Sequence, residues 1–355
     1  MIFTYSMLLH AWKDTVVQAS EEPNRARYRY YLEEKLISLL ESLENGRYYP
    51  APYREKIVKY PKVRVVQVPS IDDKIVQHAI CDNYAYERMT KPIIKEASAC
   101  MVGRGDGYAM RLLMDQLRSY YTLYGSRPYF IKGDIHQFFA SIPHDRLFDL
   151  LDRYIEDFDV NWLMKRFVLN TGGDRGMALG YQQSQPLANL YLSILDHFVK
   201  EKLGARYYGR YMDDFYIISE DKAYLEDCLQ QIDELVQSIG LELNPKTKIV
   251  RDRLTFLGFT YGISDSGRII RRLAQSKRIT KRRQLKKMLS QIDSGELSAE
   301  GFVNSYAGWR AHALRGKCKS LVRDWDEWIR SELLARGYEL HIHKYQVSVT
   351  PTGKD

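Results

Sequence analysis

Asp213 and Asp214 stand side by side in RYMDDFYIIS, residues 210–219. Aromatic and β-branched flanks favour extended backbone, so the acidic pair is expected in the tight turn of a β-hairpin. Side chains alternate along a strand, and a turn is what can aim one or both acids at a metal. Carboxylates paired in apolar flanks repel each other, and a hard cation such as Mg²⁺ relieves that repulsion. Asp is also a common turn residue, so a solvated turn without chemistry is the plain alternative. A third acid, Asp134, closes the apolar stretch YFIKGD, residues 129–134. Ionising an acid there is costly unless a cation compensates; a helix N-cap is the competing reading. Carboxylates gathered from separate strands are what two-metal nucleotidyl transfer needs, with one ion at the primer 3′-hydroxyl and one at the triphosphate.

The elements that must position these acids can be read from hydrophobic period. LEEKLISLLESLENG, within residues 1–47, is amphipathic at helical spacing, with Gly46 as a stop. EKIVKYPKVRVVQVP, 55–69, reads as a hairpin turning at Tyr60-Pro61. Residues 71–90 and 107–122 return to helical period, and 128–139 starts as a buried strand. HDRLFDLLDRYI and QPLANLYLSILDHFVKEKL read as helices, then come strands around 207–219 and a helix over 221–239. TKIV and LTFLGFTY read as short strands. After residue 265, RIIRRLAQSKRITKRRQLKKMLSQID is strongly basic and is expected to be helical, as are residues 300–336. The tail, 339–355, is expected to fray, with an exposed strand at His341-Ile342-His343.

The chain has 355 residues, 45% hydrophobic, enough for two or three domains with a sizeable core. A net charge of +8 points to a polyanionic partner, and 27 Tyr among Arg and Lys suit stacking on bases. Cys81, Cys100, Cys228 and Cys318 form no CxxC pair, which argues against a zinc site or a disulfide framework. No apolar run is long enough to span a bilayer and the N-terminus lacks signal-peptide features. A cytoplasmic protein with no membrane partner is therefore expected. Walker-type GxxxxGK[ST] is absent, and no nuclease-like or protease-like arrangement is found.

KGDIHQFFASI, LGYQQSQPLANLYL, YMDD, LNPKTK and FLGF occur in that order. Together they resemble the reverse transcriptases of bacterial type related to group II intron enzymes. The resemblance implies an α+β right-hand polymerase with fingers, a palm with an antiparallel sheet and a helical thumb. Its expected layout is an N-terminal helical extension over 1–47, fingers over 48–127 and palm over 128–264, with a fingers insertion around 145–180. A basic helical thumb over 265–338 and a C-terminal tail over 339–355 complete it. By the same resemblance, Asp134 and Asp213 would be metal ligands for two Mg²⁺ ions, with Mn²⁺ as a substitute. Asp214 would be a second, less directly coordinated acid, and the backbone carbonyl of Ile135 would reach the triphosphate-bound metal. Phe139 matches a steric gate selecting dNTPs over rNTPs, with a core aromatic as its alternative. Lys62 and Arg64 match the triphosphate clamp, and Arg104 a contact to template or nucleotide. Lys246, or Lys248, matches a lysine that protonates pyrophosphate. Phe256, Leu257, Gly258 and Phe259 resemble the primer grip.

One segment departs from the common QGxxxSP pattern. Residues 179–185 read LGYQQSQ, so Leu179 and Gln185 replace the usual Gln and Pro around Gly180. Leu179 has no side-chain amide with which to hold a nucleotide. This signature is similar to that of diversity-generating retroelement reverse transcriptases, which misincorporate opposite template adenine. The partners so implied are a dedicated template RNA, nascent cDNA or primer, dNTPs and a small basic accessory protein, in a bacterial or phage-encoded system. Anti-phage defence reverse transcriptases are the competing biological reading. A non-catalytic RNA-binding module would predict decayed acids, and all three acids are present.

Overall fold

The computed structural model describes residues 3–16, 23–58, 63–344 and 346–353. The chain packs as two compact units, Met1–Leu113 with Ile131–Ile249, and Met114–Phe130 with Val250–Asp355.

The first unit opens with α1 (Tyr5–Val16), α2 (Pro23–Tyr30) and α3 (Leu32–Glu44). Leu36, Leu39 and Leu43 are buried along one stripe of α3, as the helical period requires. The antiparallel hairpin of β1 (Arg54–Val58) and β2 (Arg64–Val68) follows, with Val58 opposite Arg64. Its turn, and with it Lys62, lies outside the described residues. A Ser70–Asp73 capping box starts α4 (Ile71–Ile80), closing two orphan amides at once. A π-helical turn over Cys81–Ala85 joins it to α5 (Tyr86–Thr90), and α6 (Asp106–Tyr124) comes next.

β3 (Tyr129–Gly133) is the buried strand expected from YFIKG, with Phe130 and Ile131 fully enclosed. After it come α7 (Phe138–Ser141), α8 (His144–Tyr154), α9 (Phe158–Leu169) and α10 (Ser184–His197). β4 (Tyr207–Tyr211) and β5 (Asp214–Ser219) form an antiparallel hairpin, followed by α11 (Lys222–Ser238) and β6 (Lys248–Arg251). The sheet runs β4-β5-β3-β6, so β3 sits centrally beside the strand that follows the acidic turn. Gly133 permits that neighbourhood: a Cβ there would lie 2.0 Å from the Phe215 ring.

The second unit contains an antiparallel sheet of β7 (Arg253–Phe256), β8 (Phe259–Ile263) and β9 (Ile269–Leu273), in that order. Then come α12 (Gln275–Asp293), α13 (Ala299–Arg315), α14 (Lys319–Leu334), and a hairpin of β10 (Tyr338–His343) with β11 (Gln346–Pro351). Leu285, Phe302, Tyr306, Trp325 and Ile329 form the core of this unit.

Two expectations are corrected here. The basic segment after 265 is not helical throughout. Ile269–Leu273 pairs with Phe259–Ile263 as β9, and the helix starts at Gln275. Cross-strand pairing of its apolar residues outweighs the helical look of its arginines. The tail does not fray either: Leu340 enters the core and Ile342, Val347 and Val349 pack against it. Its alternating apolar residues bury one face of a hairpin. β7 and β8 form their own sheet with β9, within the second unit.

Candidate active site

Tyr211 pairs with Asp214 across β4 and β5, leaving Met212-Asp213 as a two-residue turn. Met212 takes a left-handed φ of 54°. Positive φ at this first turn position matches the twist of hairpin strands, at a cost of about 1–2 kcal/mol for a residue other than Gly. Asp213 is partly buried at the turn's second position. Asp134 follows β3 directly, and its carboxylate is close enough to Asp213 to act on that acid's ionisation. Burial, more than anything else, pushes the Asp213 carboxyl above the usual range. Its own backbone N–H opposes that shift, the facing Asp134 adds to it, and the Arg64 charge opposes it.

Asp134 is not a helix N-cap; Gln137 occupies that position before α7. The LNPKTK loop grips it instead. Asn244 donates from Nδ2 to Asp134 Oδ2 at 2.9 Å and from its backbone N–H to the Asp134 carbonyl at 2.7 Å. The Asp134 N–H donates to Thr247 Oγ1 at 3.2 Å. Ile135 bridges to Leu243 through the Asp134 carbonyl and the His136 amide, which leaves the Ile135 carbonyl out of that bridge. Asp214 begins β5. Among the described residues no group of three or more His, Cys, Asp or Glu side chains gathers as a metal cluster. Successive residues leaving a turn into a strand face different ways. The donors that do meet are carboxylate oxygens in mutual repulsion. They fit a hard, oxygen-seeking divalent cation rather than a thiolate- or imidazole-seeking one.

Residues 57–261, more than half of the chain, match the family described as reverse transcriptase (RNA-dependent DNA polymerase). The chain belongs to the reverse transcriptase family. It is 29% identical over 182 residues to the group II intron-encoded protein LtrA of Lactococcus lactis subsp. cremoris, covering 48% of this chain and 29% of that protein. It is 30% identical over 173 residues to an uncharacterized 91 kDa protein in the cob intron of Schizosaccharomyces pombe, covering 46% of this chain and 20% of that one. The chain thus spans less than a third of the length of these relatives. A solved structure of telomerase from Candida albicans, in complex with the TWJ fragment of telomeric RNA, is similar with a TM-score of 0.51 at 14% identity. The match covers 86% of this chain and 59% of that one. At that identity the likeness concerns the fold, the α+β right hand of these polymerases.

Around the acids of this member of the reverse transcriptase family, Phe138 is buried in the core and Phe139 remains partly exposed, its ring edge-on to Phe138 at 5.7 Å. Leu179 is tied to the β1–β2 hairpin on both sides. Its carbonyl accepts from the Gln67 N–H at 3.0 Å, and its N–H donates to Gln67 Oε1 at 2.9 Å. Gln185 is exposed at the start of α10, and its Oε1 accepts from the Cys100 thiol at 2.9 Å. Arg104 donates through Nη1 to the carbonyls of Ile94 (2.6 Å) and Ala97 (2.8 Å), bracing its own loop. Lys246 and Lys248 are both exposed, and the Lys246 N–H is fixed by Asn244 Oδ1 at 3.0 Å.

Within the second unit, Phe256 pairs with Phe259 across a two-residue turn in which Leu257 and Gly258 both have positive φ. The rings of Phe256 and Phe259 are buried. The turn presents Leu257 and Gly258, both only partly buried, to its surroundings. Strand alternation sends both flanking rings inward.

Gln67, Asn244 and Thr247 were missed as site residues. Asn244 and Thr247 sit in the motif LNPKTK, where the lysines drew attention. Nothing in the sequence marks Gln67, because its partner is distant in the chain.

Proposed function

We propose that this chain is an RNA-directed DNA polymerase. The observation that carries the reading is the Asp134–Asp213 pair, set by a buried strand and a tight hairpin turn inside the family match. Asp134 and Asp213, with the Ile135 carbonyl and Asp214 nearby, would hold two Mg²⁺ ions, or Mn²⁺ in their place. Bound there, the metal supplies charge neutralisation at the transferring phosphate. Arg64, whose charge already reaches Asp213, stabilises the β- and γ-phosphates of the dNTP, a role shared with Lys62, two residues before it in sequence. Lys246 is the donor to the leaving pyrophosphate. Phe139 fills the space a 2′-hydroxyl would need. Lys277, Arg278, Arg282, Arg283, Lys286 and Lys287 are exposed along α12 and hold nucleic-acid phosphates.

The test is primer extension by the purified chain on an RNA template with dNTPs. Incorporation in the presence of Mg²⁺ and none without it is the expected result; no incorporation on any primer–template would overturn the reading. In the same assay Phe139→Ala should raise the use of rNTPs relative to dNTPs by roughly 10-fold or more, the scale on which a pocket filled by side-chain bulk discriminates. Unchanged sugar selectivity would make Phe139 a core aromatic only.

The LGYQQSQ signature extends the proposal to error-prone copying of a dedicated RNA at template adenines, with a small basic accessory protein as partner. Leu179 offers only its backbone to hydrogen bonding, and Gln67 uses that. Leu179→Gln should lower misincorporation opposite adenine. Sequencing the cDNA checks this, and an unaltered error spectrum counts against it.

A further inference from the structure

The acidic turn rests on a buried polar network. Arg210, in β4, is 1% exposed and Asp196, in α10, is 0% exposed. Arg210 grips Asp196 with two parallel bonds, Nε to Oδ1 at 2.7 Å and Nη2 to Oδ2 at 2.6 Å. Tyr208 donates to the same carboxylate at 2.6 Å. Burial, with Asp196 next, holds the Tyr208 phenol well above its ordinary value, so it stays a donor. The remaining donor, Arg210 Nη1, reaches Asn189 Oδ1 at 3.0 Å and the carbonyl of Met212 at 2.8 Å. Asn189 donates in turn to the Ala99 carbonyl at 2.6 Å. The Arg210 backbone takes in the segment beside it: its N–H donates to the Glu96 carbonyl and its carbonyl accepts from Ser98, both at 3.0 Å.

An ion pair this deep is poor evidence for stability, because well-packed apolar residues often replace such pairs at no loss. What apolar residues cannot supply is a donor aimed at Met212. That residue sits in the left-handed region and immediately precedes Asp213. Strained backbone at a functional turn persists only where its surroundings over-determine it. The planar fork makes four bonds here from three nitrogens, two to the carboxylate and one each to the amide and the Met212 carbonyl, whereas an ammonium has only three donors on one atom.

We infer that Arg210 is a positioning residue for polymerisation: anchored by Asp196 and Asn189 of α10, it fixes the Met212 carbonyl and thereby the aim of Asp213. It also ties the acidic turn to α10, whose first turn carries Gln185. The inference rests on the polymerase reading above.

Single-nucleotide incorporation, Mg²⁺ titration and thermal melting test it on two variants. Arg210→Met with Asp196→Leu removes both charges together. Arg210→Lys keeps a charge against Asp196 but is too short to hold Met212 as well. Expected for each folded variant is primer–template affinity close to wild type, a maximal rate at least about 10-fold lower, and a several-fold higher half-saturating Mg²⁺. Tyr191→Phe is the control. It deletes a buried bond from α10 to the Ile239 carbonyl and should lower Tm without moving the rate or the Mg²⁺ requirement. A folded variant with wild-type rate and Mg²⁺ requirement overturns the positioning role. So does a Tyr191→Phe defect matching the Arg210 variants at equal Tm. An inactive wild type would instead overturn the polymerase reading.

Discussion

Asp213→Asn should abolish nucleotide incorporation while making the metal-free protein more stable. The activity loss is expected at about 10³-fold or more, the scale on which removal of an electrostatic catalytic group falls. RNA affinity should change little, because positive charge elsewhere carries phosphate binding. The stability gain follows from the site's own repulsion: the Asp213 carboxylate is partly buried and lies beside Asp134. Relieving such a functional strain commonly yields about 1 kcal/mol, roughly 2–4 °C in Tm for a unit of this size.

The pH dependence has a definite sign. Asp213's folded value is raised, so the folded protein keeps this proton to higher pH than the unfolded chain does. Its contribution to stability is therefore fullest in acid. It declines as pH rises from the ordinary carboxylate range through the raised folded value. The asparagine variant lacks that decline. Mg²⁺ should raise the Tm of wild type at neutral pH, less so in acid, and hardly at all in the variant. Melting curves at two pH values with and without Mg²⁺ check this. An Asp213→Asn protein that still polymerises, or that melts lower than wild type without metal, would show that this acid is not a strained metal ligand.

Gly180→Ala should weaken dNTP use without touching the metal requirement. Gly180 has φ +121°, and a Cβ there would lie 2.7 Å from the Gln67 carbonyl oxygen and 2.8 Å from Val66 Cγ1. Both contacts belong to β2, the strand that begins with Arg64. Alanine must therefore strain its own backbone or push the hairpin off Leu179. Either costs about 1–3 kcal/mol, which corresponds to roughly 5- to 150-fold in an equilibrium constant. Steady-state kinetics should show KM for dNTP rising on that scale, with half-saturating Mg²⁺ and primer–template affinity unchanged. A folded Gly180→Ala enzyme with an unaltered KM would mean that the hairpin docks elsewhere during catalysis.

Much of the site was legible because its signals are local. The flanks of Asp213-Asp214 announce a hairpin turn, and the apolar run before Asp134 announces a buried strand end. Local period also marked α3, α10 and α11. Period failed where composition and pairing disagree. Ile269–Leu273 looks like part of a basic helix and is a strand because β8 offers it a ladder. The tail has strand-like alternation, and only its packing against the second unit's core shows that the alternation is used. Charged residues inside apolar stretches, Arg210 in YYGRYMDD and Asp196 in YLSILDHF, are visible in the sequence. Their pairing is not.

The sequence by itself determined which residues can do the chemistry, in what order they come and to which family they point, because motif identity is a property of neighbours in the chain. The tertiary structure decided which acids meet and what holds them. Asp134, after β3, and Asp213, in the β4–β5 turn, are brought together. Asn244 and Thr247 grip one acid, and Arg210 underlies the turn that carries the other. Apart from the short reach of Arg210 to Met212, those facts depend on contacts between residues 14 to 113 positions apart. Such contacts arise when burial forces polar groups to find partners, and no local pattern records which partner each one finds.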